Sequence, residues 1–240
     1  RAGHRAIALD HLGFGRSDKP DDADLYTIDR HIDRAEALLE SLNLSEVTPV
    51  VQDWGGPIGL GWATRHPERI RSLMILNTFA HRPPDDVPLP IPLKLFRQPG
   101  IGEGLVKGLN LFTRAGIFLG GVVKRERLSE EVRSAYLAPH PDWSSRTGVL
   151  MFPREIPSGP EGRVSDLMAE VEQGLEAFAD RDVKICWAMR DIAFTEEMLE
   201  RMWLKTFPDA EVRKIDDAGH YLQEDAHEVI IPELLELVGR

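Results

Sequence analysis

No run of apolar residues in this sequence approaches the roughly 18 needed to cross a bilayer, so a helical membrane span is excluded and a soluble protein is expected. Basic residues are in deficit. The 29 Lys and Arg face 40 Asp and Glu, a formal net charge of -11, which argues against nucleic acid as a partner and for a small, neutral or weakly charged ligand. The single Cys186 cannot form an internal disulfide. It lies in the apolar run from Val183 to Met189, where a buried structural thiol and a reducing, cytoplasmic setting are expected. No His or Cys pair has metal-ligand spacing, so no metal is expected. The segment Gly13-Phe14-Gly15-Arg16-Ser17-Asp18 lacks the glycine spacing and the lysine of a nucleotide loop; it reads as a turn, and no cofactor is expected. Repeats and low-complexity tracts are absent, and oligomeric state is not legible.

What is present is a regular alternation. At 240 residues the chain can bury a core of its own. Short apolar runs at Ala6 to Leu9, Val47 to Val51, Ile70 to Leu76, Val183 to Ala188 and Glu211 to Ile215 read as strands. Helical patterns lie at about Asp29 to Leu42, Pro57 to His66, Val164 to Ala179, Glu196 to Phe207 and Ala226 to Val238. Strand-helix alternation of this kind is the pattern of an α/β protein with a mostly parallel sheet. The alternation breaks between Arg82 and Gly162, a stretch flanked by Pro83, Pro84, Pro88, Pro90 and Pro92 on one side and Pro153, Pro157 and Pro160 on the other. A structureless loop of that length is implausible. We therefore expect core residues 1–82, an inserted helical cap over 83–162, and core again over 163–240.

Chemistry concentrates at three strand ends. Val50-Val51-Gln52-Asp53-Trp54-Gly55-Gly56-Pro57 is an apolar strand that ends in one polar residue, followed by small residues and a helix. That is the layout of a nucleophile elbow with Asp53 where a serine often stands; capping of the next helix is the plainer role. A carboxylate that attacks carbon forms an ester, and a base must then activate water to cleave it. His220, in Asp216-Asp217-Ala218-Gly219-His220, follows the last strand and sits at the carboxyl edge of the sheet, where active sites of open α/β sheets lie. His66, before Pro67 at a helix end, exemplifies a histidine with no such placement. Asp191, just past the fourth strand run, can orient His220; a helix cap or an ion pair with Arg190 is its plainer role.

Gln52-Asp53-Trp54-Gly55-Gly56-Pro57, with Asp191 after the penultimate strand and Ala218-Gly219-His220 after the last, resembles the haloalkane dehalogenases. The resemblance covers nearly the whole chain, including Ala6 to Asp18, which is similar to that family's fourth strand and its following turn. It implies an α/β-hydrolase fold with a cap. It also implies Asp53 as nucleophile, Asp191 as acid and His220 as base, with an alkyl ester hydrolysed to alcohol after halide leaves. Trp54 matches the indole that donates to the departing halide. Trp143 is a candidate second donor in the cap, and Tyr136, Phe152, Phe112 and Phe118 are candidate pocket aromatics, though any of them can belong to the cap's own core. After Ile75-Leu76, the family's alternative place for the acid, stands Asn77, which favours Asp191.

The family's first three strands and its His-Gly-Asn-Pro loop have no counterpart here, and Arg1-Ala2-Gly3-His4-Arg5 leads directly into a strand pattern without an initiator Met or a signal peptide. We therefore expect an N-terminally truncated sequence whose sheet lacks the strand between Ala6–Leu9 and Val47–Val51, with folding and activity impaired. Two other readings stand beside carbon-halogen cleavage. An epoxide hydrolase shares the Asp and His machinery but uses two cap tyrosines, and only Tyr136 lies in the expected cap. A hydrolase-fold protein that only binds a small ligand fits the missing loop but not the three intact positions.

Overall fold

The computed structural model describes residues 2–83, 91–119, 121–157 and 159–239. Four strands form one sheet in the order β1 (Val50–Asp53), β2 (Ser72–Thr78), β3 (Asp182–Ala188) and β4 (Glu211–Ile215), and every neighbouring pair is parallel. All seven residues of β2 and the last six of β3 are buried, because helices cover both faces of these two strands; that is why they read as continuous apolar runs. Alternation then sorts their side chains. Leu73, Ile75, Ile185 and Trp187 point into one core with Trp62, Phe178 and Trp203, while Met74, Leu76, Cys186 and Ala188 point into a second with Ile215, Leu222 and Ile230. Leu73, Ile75, Phe178 and Ile185 have no exposed surface, and burial of each stabilises the fold by roughly 1.5–3 kcal/mol. Burial pushes the Cys186 thiol up to about 12, consistent with a packing role.

The helices follow the periodicity closely. α1 (Ile28–Ser41) buries Ile28, His31, Ile32 and Ala35 along one stripe and ends before Asn43, whose φ of 46° is the left-handed conformation that commonly closes a helix. A π-turned segment, Gly56–Leu60, runs directly into α2 (Gly61–Arg65). The expected cap region, in its described part, is helical: α3 (Ile91–Arg97), α4 (Leu111–Leu119), α5 (Glu130–Leu137) and α6 (Thr147–Glu155). It carries two apolar clusters of its own, one around Phe96, Val106, Val149 and Leu150, the other around Ile117, Val122 and Leu128. The chain then returns through α7 (Arg163–Gly174), the short α8 (Glu196–Met198), α9 (Leu204–Thr206) and α10 (Leu222–Asp225), and α11 (His227–Gly239). No helix among the described residues is long and apolar enough to cross a membrane.

Two expectations need correction. Ala6 to Leu9 forms no strand: Ile7 and Leu9 are 41% and 39% exposed, and no described strand pairs with the outer edge of β1, so this segment has no ladder to join. Pro153 does not mark the end of the inserted stretch but lies inside α6. Pro84, Pro88 and Pro90 fall outside the described residues.

Candidate active site

The elbow is built by strain and by close approach. Asp53 has φ 51°, a left-handed conformation that non-glycine residues rarely adopt and that clusters at functional sites. The pairing of β1 with β2 is irregular between Val51 and Asp53, so the chain turns out of the sheet just at this residue. The Thr78 hydroxyl donates to the Asp53 carbonyl, and the Trp203 indole N–H donates to the Thr78 carbonyl at 2.9 Å, which fixes the turn against β2. A Cβ on Gly56 would lie 2.0 Å from Thr78 Oγ1 and 2.3 Å from the Phe79 carbonyl oxygen, so only glycine lets the turn approach β2 this closely. The helix that follows is capped at Gly55, not by the Asp53 side chain, so the capping role is not the one Asp53 plays.

Asp191 and His220 come together across the ends of β3 and β4. Beyond those strands the backbones stay paired, with the Met189 N–H donating to the Ile215 carbonyl and the Arg190 N–H to the Ala218 carbonyl, both at 3.0 Å. Asp191 Oδ2 lies 3.0 Å from His220 Nδ1. Its other oxygen accepts the N–H groups of Ala193 at 2.7 Å and Phe194 at 3.2 Å, so a side chain with no exposed surface has its hydrogen-bonding capacity used. Arg190 turns away and donates to the Asp216 carbonyl, so it forms no ion pair with Asp191. The His220 ring stacks on Phe194 with centroids 5.8 Å apart and 11° between planes.

Two residues that sequence reasoning did not assign hold this arrangement. Gln52 donates its side-chain amide to the His220 carbonyl at 3.1 Å, tying the elbow to the histidine loop. Asn77, fully buried, donates to the Ala188 carbonyl at 3.0 Å and accepts the Ala188 N–H at 2.7 Å, clamping the start of the loop that carries Asp191. Asn77 thus stands at the alternative acid position but serves as a brace. Position alone was the available signal, since both residues flank a strand end that faces the site.

Electrostatics link Asp53 to the pair. Burial pushes the Asp53 carboxyl up; the charge of His220 and the Trp54 backbone N–H oppose that rise, while Asp191 adds to it. For His220, burial works against the charged ring, but the Asp191 hydrogen bond and the charges of Asp53 and Asp191 outweigh it and hold the imidazole up at about 9. Near neutrality His220 is therefore an imidazolium, facing Asp53 and paired with Asp191.

Around this group the aromatic expectations divide. Trp54 packs edge-on against Phe79 at 5.4 Å and Phe152 at 5.0 Å, and Phe152, from α6, also meets Phe14 and His31, so Trp54 and Phe152 share one apolar wall beside the elbow. His31 in that wall is buried without a hydrogen-bond partner among the described residues, and burial holds it down at about 3, hence neutral. Tyr136 contacts Tyr221, next to His220, but its hydroxyl is engaged by Glu224 at 2.8 Å. Trp143 is elsewhere. It is 48% exposed with the Lys107 ammonium over its ring, and it shares no ring contact with Trp54, Phe152 or His220 among the described residues. Phe112 packs on Phe96 and Phe118 lies under Arg133, both within the inserted helices. His66 is bound to Glu36 at 2.6 Å, away from the site.

A strand-end aspartate at a left-handed turn stands with an acid beyond β3 and a histidine beyond β4, and the family profile described as alpha/beta hydrolase fold matches residues 1–227. The chain belongs to this family. It is 42% identical over 233 residues to a cis-3-alkyl-4-alkyloxetan-2-one decarboxylase of Shewanella oneidensis, spanning 96% of this chain and 72% of that one. It is 31% identical over 252 residues to a haloalkane dehalogenase of Psychrobacter cryohalolentis, spanning 99% of this chain and 75% of that one. Among solved structures, the haloalkane dehalogenase DbeA from Bradyrhizobium elkani superposes with a TM-score of 0.84 at 28% identity, over 95% of this chain and 78% of that one. The chain is thus an enzyme of the α/β-hydrolase family with dehalogenase-like architecture.

Proposed function

We propose that Asp53 is a covalent nucleophile toward an sp3 carbon bearing an oxygen or halogen leaving group, with Asp191 orienting His220, and that the substrate is a cis-3,4-dialkyl oxetan-2-one. The observation that carries the reaction type is the Asp53 carboxylate held at φ 51° beside the His220–Asp191 pair. The substrate class rests on the 42% and 37% identities to oxetan-2-one decarboxylases, against 31% and 28% for haloalkane dehalogenases.

The chemistry closes without water, oxidant or metal. An Asp53 oxygen attacks ring carbon C4; the C4–O ring bond breaks and its electron pair stays with the ring carboxylate. The His220 imidazolium neutralises part of the charge released there. The bond between C3 and that carboxylate then breaks, its electrons form the C3–C4 double bond, CO2 leaves, and the C4–O bond to Asp53 breaks to return the free carboxylate. Inversion at C4 followed by anti departure preserves the cis relation of the two alkyl groups, so a cis-alkene is expected. Trp54 and Phe152 supply an apolar wall for an alkyl chain. We place the inserted helices of 83–162 as a cap over this wall, through α6.

Carbon-halogen cleavage is the second reading, and a specific observation favours it: the Trp54 indole N–H, next to the elbow, makes no hydrogen bond to a described residue and is free to meet a departing halide. In that case Asp53 forms an alkyl ester, halide leaves, and His220, lowered in proton affinity by loss of the Asp53 charge, activates the water that hydrolyses the ester. Supplying a cis-3,4-dialkyl oxetan-2-one and 1-bromobutane in separate reactions distinguishes the two. We expect cis-alkene and CO2 from the first, both abolished in Asp53→Asn. Bromide release with no alkene moves the assignment to dehalogenation, and turnover that survives in Asp53→Asn removes the nucleophile.

A further inference from the structure

Asp225, the last residue of α10, is fully buried, and its carboxylate is spent on backbone N–H groups from two distant parts of the chain. Oδ2 accepts from Gly219, the residue before His220, at 2.8 Å, and from Val123 in the inserted helical region at 2.9 Å. Oδ1 accepts from Lys124 at 2.8 Å. The Lys124 ammonium reaches back to the Asp225 carbonyl at 2.9 Å and to Asp217 at 2.8 Å. Alongside, the Tyr221 N–H donates to the Gly121 carbonyl at 2.7 Å. A Cβ on Gly121 would lie 2.3 Å from the Tyr221 ring and 2.1 Å from the Gly116 carbonyl oxygen, so the inserted region and the histidine loop touch at van der Waals limits.

We propose that Asp225 is a positioning residue for His220: one buried carboxylate fastens the Val123–Lys124 edge of the inserted helices and the Gly219–His220 peptide together, so the two move as one unit. This rests on the assignment of His220 to the reaction. A buried carboxylate with three amide donors and no substrate contact has little reason to be retained for burial alone, because an apolar residue avoids the desolvation cost. Its geometry instead joins segments that are 96 positions apart, between residues 123 and 219. Displacement of the inserted helices then pulls on the peptide that aims the imidazole at Asp53 and Asp191.

Two measurements test this without turnover. In the unaltered chain, amide hydrogen exchange of Val123, Lys124 and Gly219 is expected to report one opening, with protection agreeing within roughly threefold. Exchange at Val123 and Lys124 that is faster than at Gly219 by more than roughly tenfold overturns the proposal. In Asp225→Asn, which keeps the volume but sets an amide NH2 against a donor, the His220 titration followed by NMR is expected to fall from about 9 by about one pH unit or more, since the contacts of its ring with Asp191, Asp53 and Tyr221 all loosen. A folded variant whose His220 still titrates at about 9 also overturns it. Neither readout depends on which substrate is used, so a failure of the proposed reaction appears separately, as absence of an Asp53 adduct.

Discussion

Replacing Asp191 by Asn removes the charge beside His220 while keeping the side-chain shape. The carboxamide oxygen that Asp191→Asn introduces can still accept the Ala193 and Phe194 N–H groups, so the loop is expected to hold, but the new NH2 then faces His220 Nδ1 where a carboxylate stood. The wild-type imidazole is held at about 9 against an ordinary 6.5, a preference for the imidazolium of about 3 kcal/mol at ~1.4 kcal/mol per tenfold change in proton affinity. Burial opposes that preference and remains in the variant, so the titration should fall below about 7. Linkage fixes the sign of the accompanying stability change. Because the folded value is raised, the stabilisation is fully present below about 6.5 and is lost as pH rises through about 9, up to about 3 kcal/mol in the wild type. The assay is NMR titration of the histidine ring carbons, paired with urea unfolding at pH 6.5 and pH 9.5 for the wild type, Asp191→Asn and His220→Gln. The reasoning is refuted if His220 in Asp191→Asn still titrates near 9, or if wild type and His220→Gln lose the same stability over that interval.

Other outcomes follow from the same contacts. Asp53→Asn, by removing the second charge that favours the imidazolium, should lower the His220 titration even with Asp191 intact, which the same NMR experiment reads. Gly56→Ala should destabilise the fold by about 1–3 kcal/mol or more in urea unfolding, because the new methyl meets Thr78 and the Phe79 carbonyl rather than open space. Asn77→Leu leaves the Ala188 N–H and carbonyl without their side-chain partner and should cost about 1–3 kcal/mol, with a fall in the His220 titration as the Asp191 loop loosens. Phe152→Ala opens the wall beside Trp54 and should raise KM for long-chain substrates more than it lowers kcat, measured by steady-state kinetics.

Much of this was legible in the residues. β4 occupies the predicted Glu211 to Ile215, and α1 and α11 lie within a residue or two of the periodic patterns, because burial on a regular face leaves a regular trace. Asp53, Asp191 and His220 could be singled out because each follows a strand and stands among small or apolar residues. Ala6 to Leu9 misled for a physical reason: apolar alternation signals a capacity to pair, and the pairing itself depends on a neighbour. An aromatic in a helical insertion carries no sign of which way it faces, and Trp143 stands half-exposed with Lys107 over its ring. Gln52, Asn77 and Asp225 act through contacts across more than a hundred residues or between separate loops, so nothing in their local sequence distinguishes them from ordinary polar positions.

The central claim is that the Asp53 carboxylate bonds to substrate carbon. Its most direct test is to mix the chain with excess cis-3,4-dialkyl oxetan-2-one or 1-bromobutane, quench within the first turnovers, and map the modified peptide by mass spectrometry in wild type, His220→Ala and Asp53→Asn. An added mass on the peptide holding Asp53, accumulating with the bromoalkane in His220→Ala and absent from Asp53→Asn, is the predicted result. Turnover with no adduct in any variant, or an adduct that persists in Asp53→Asn, would contradict it.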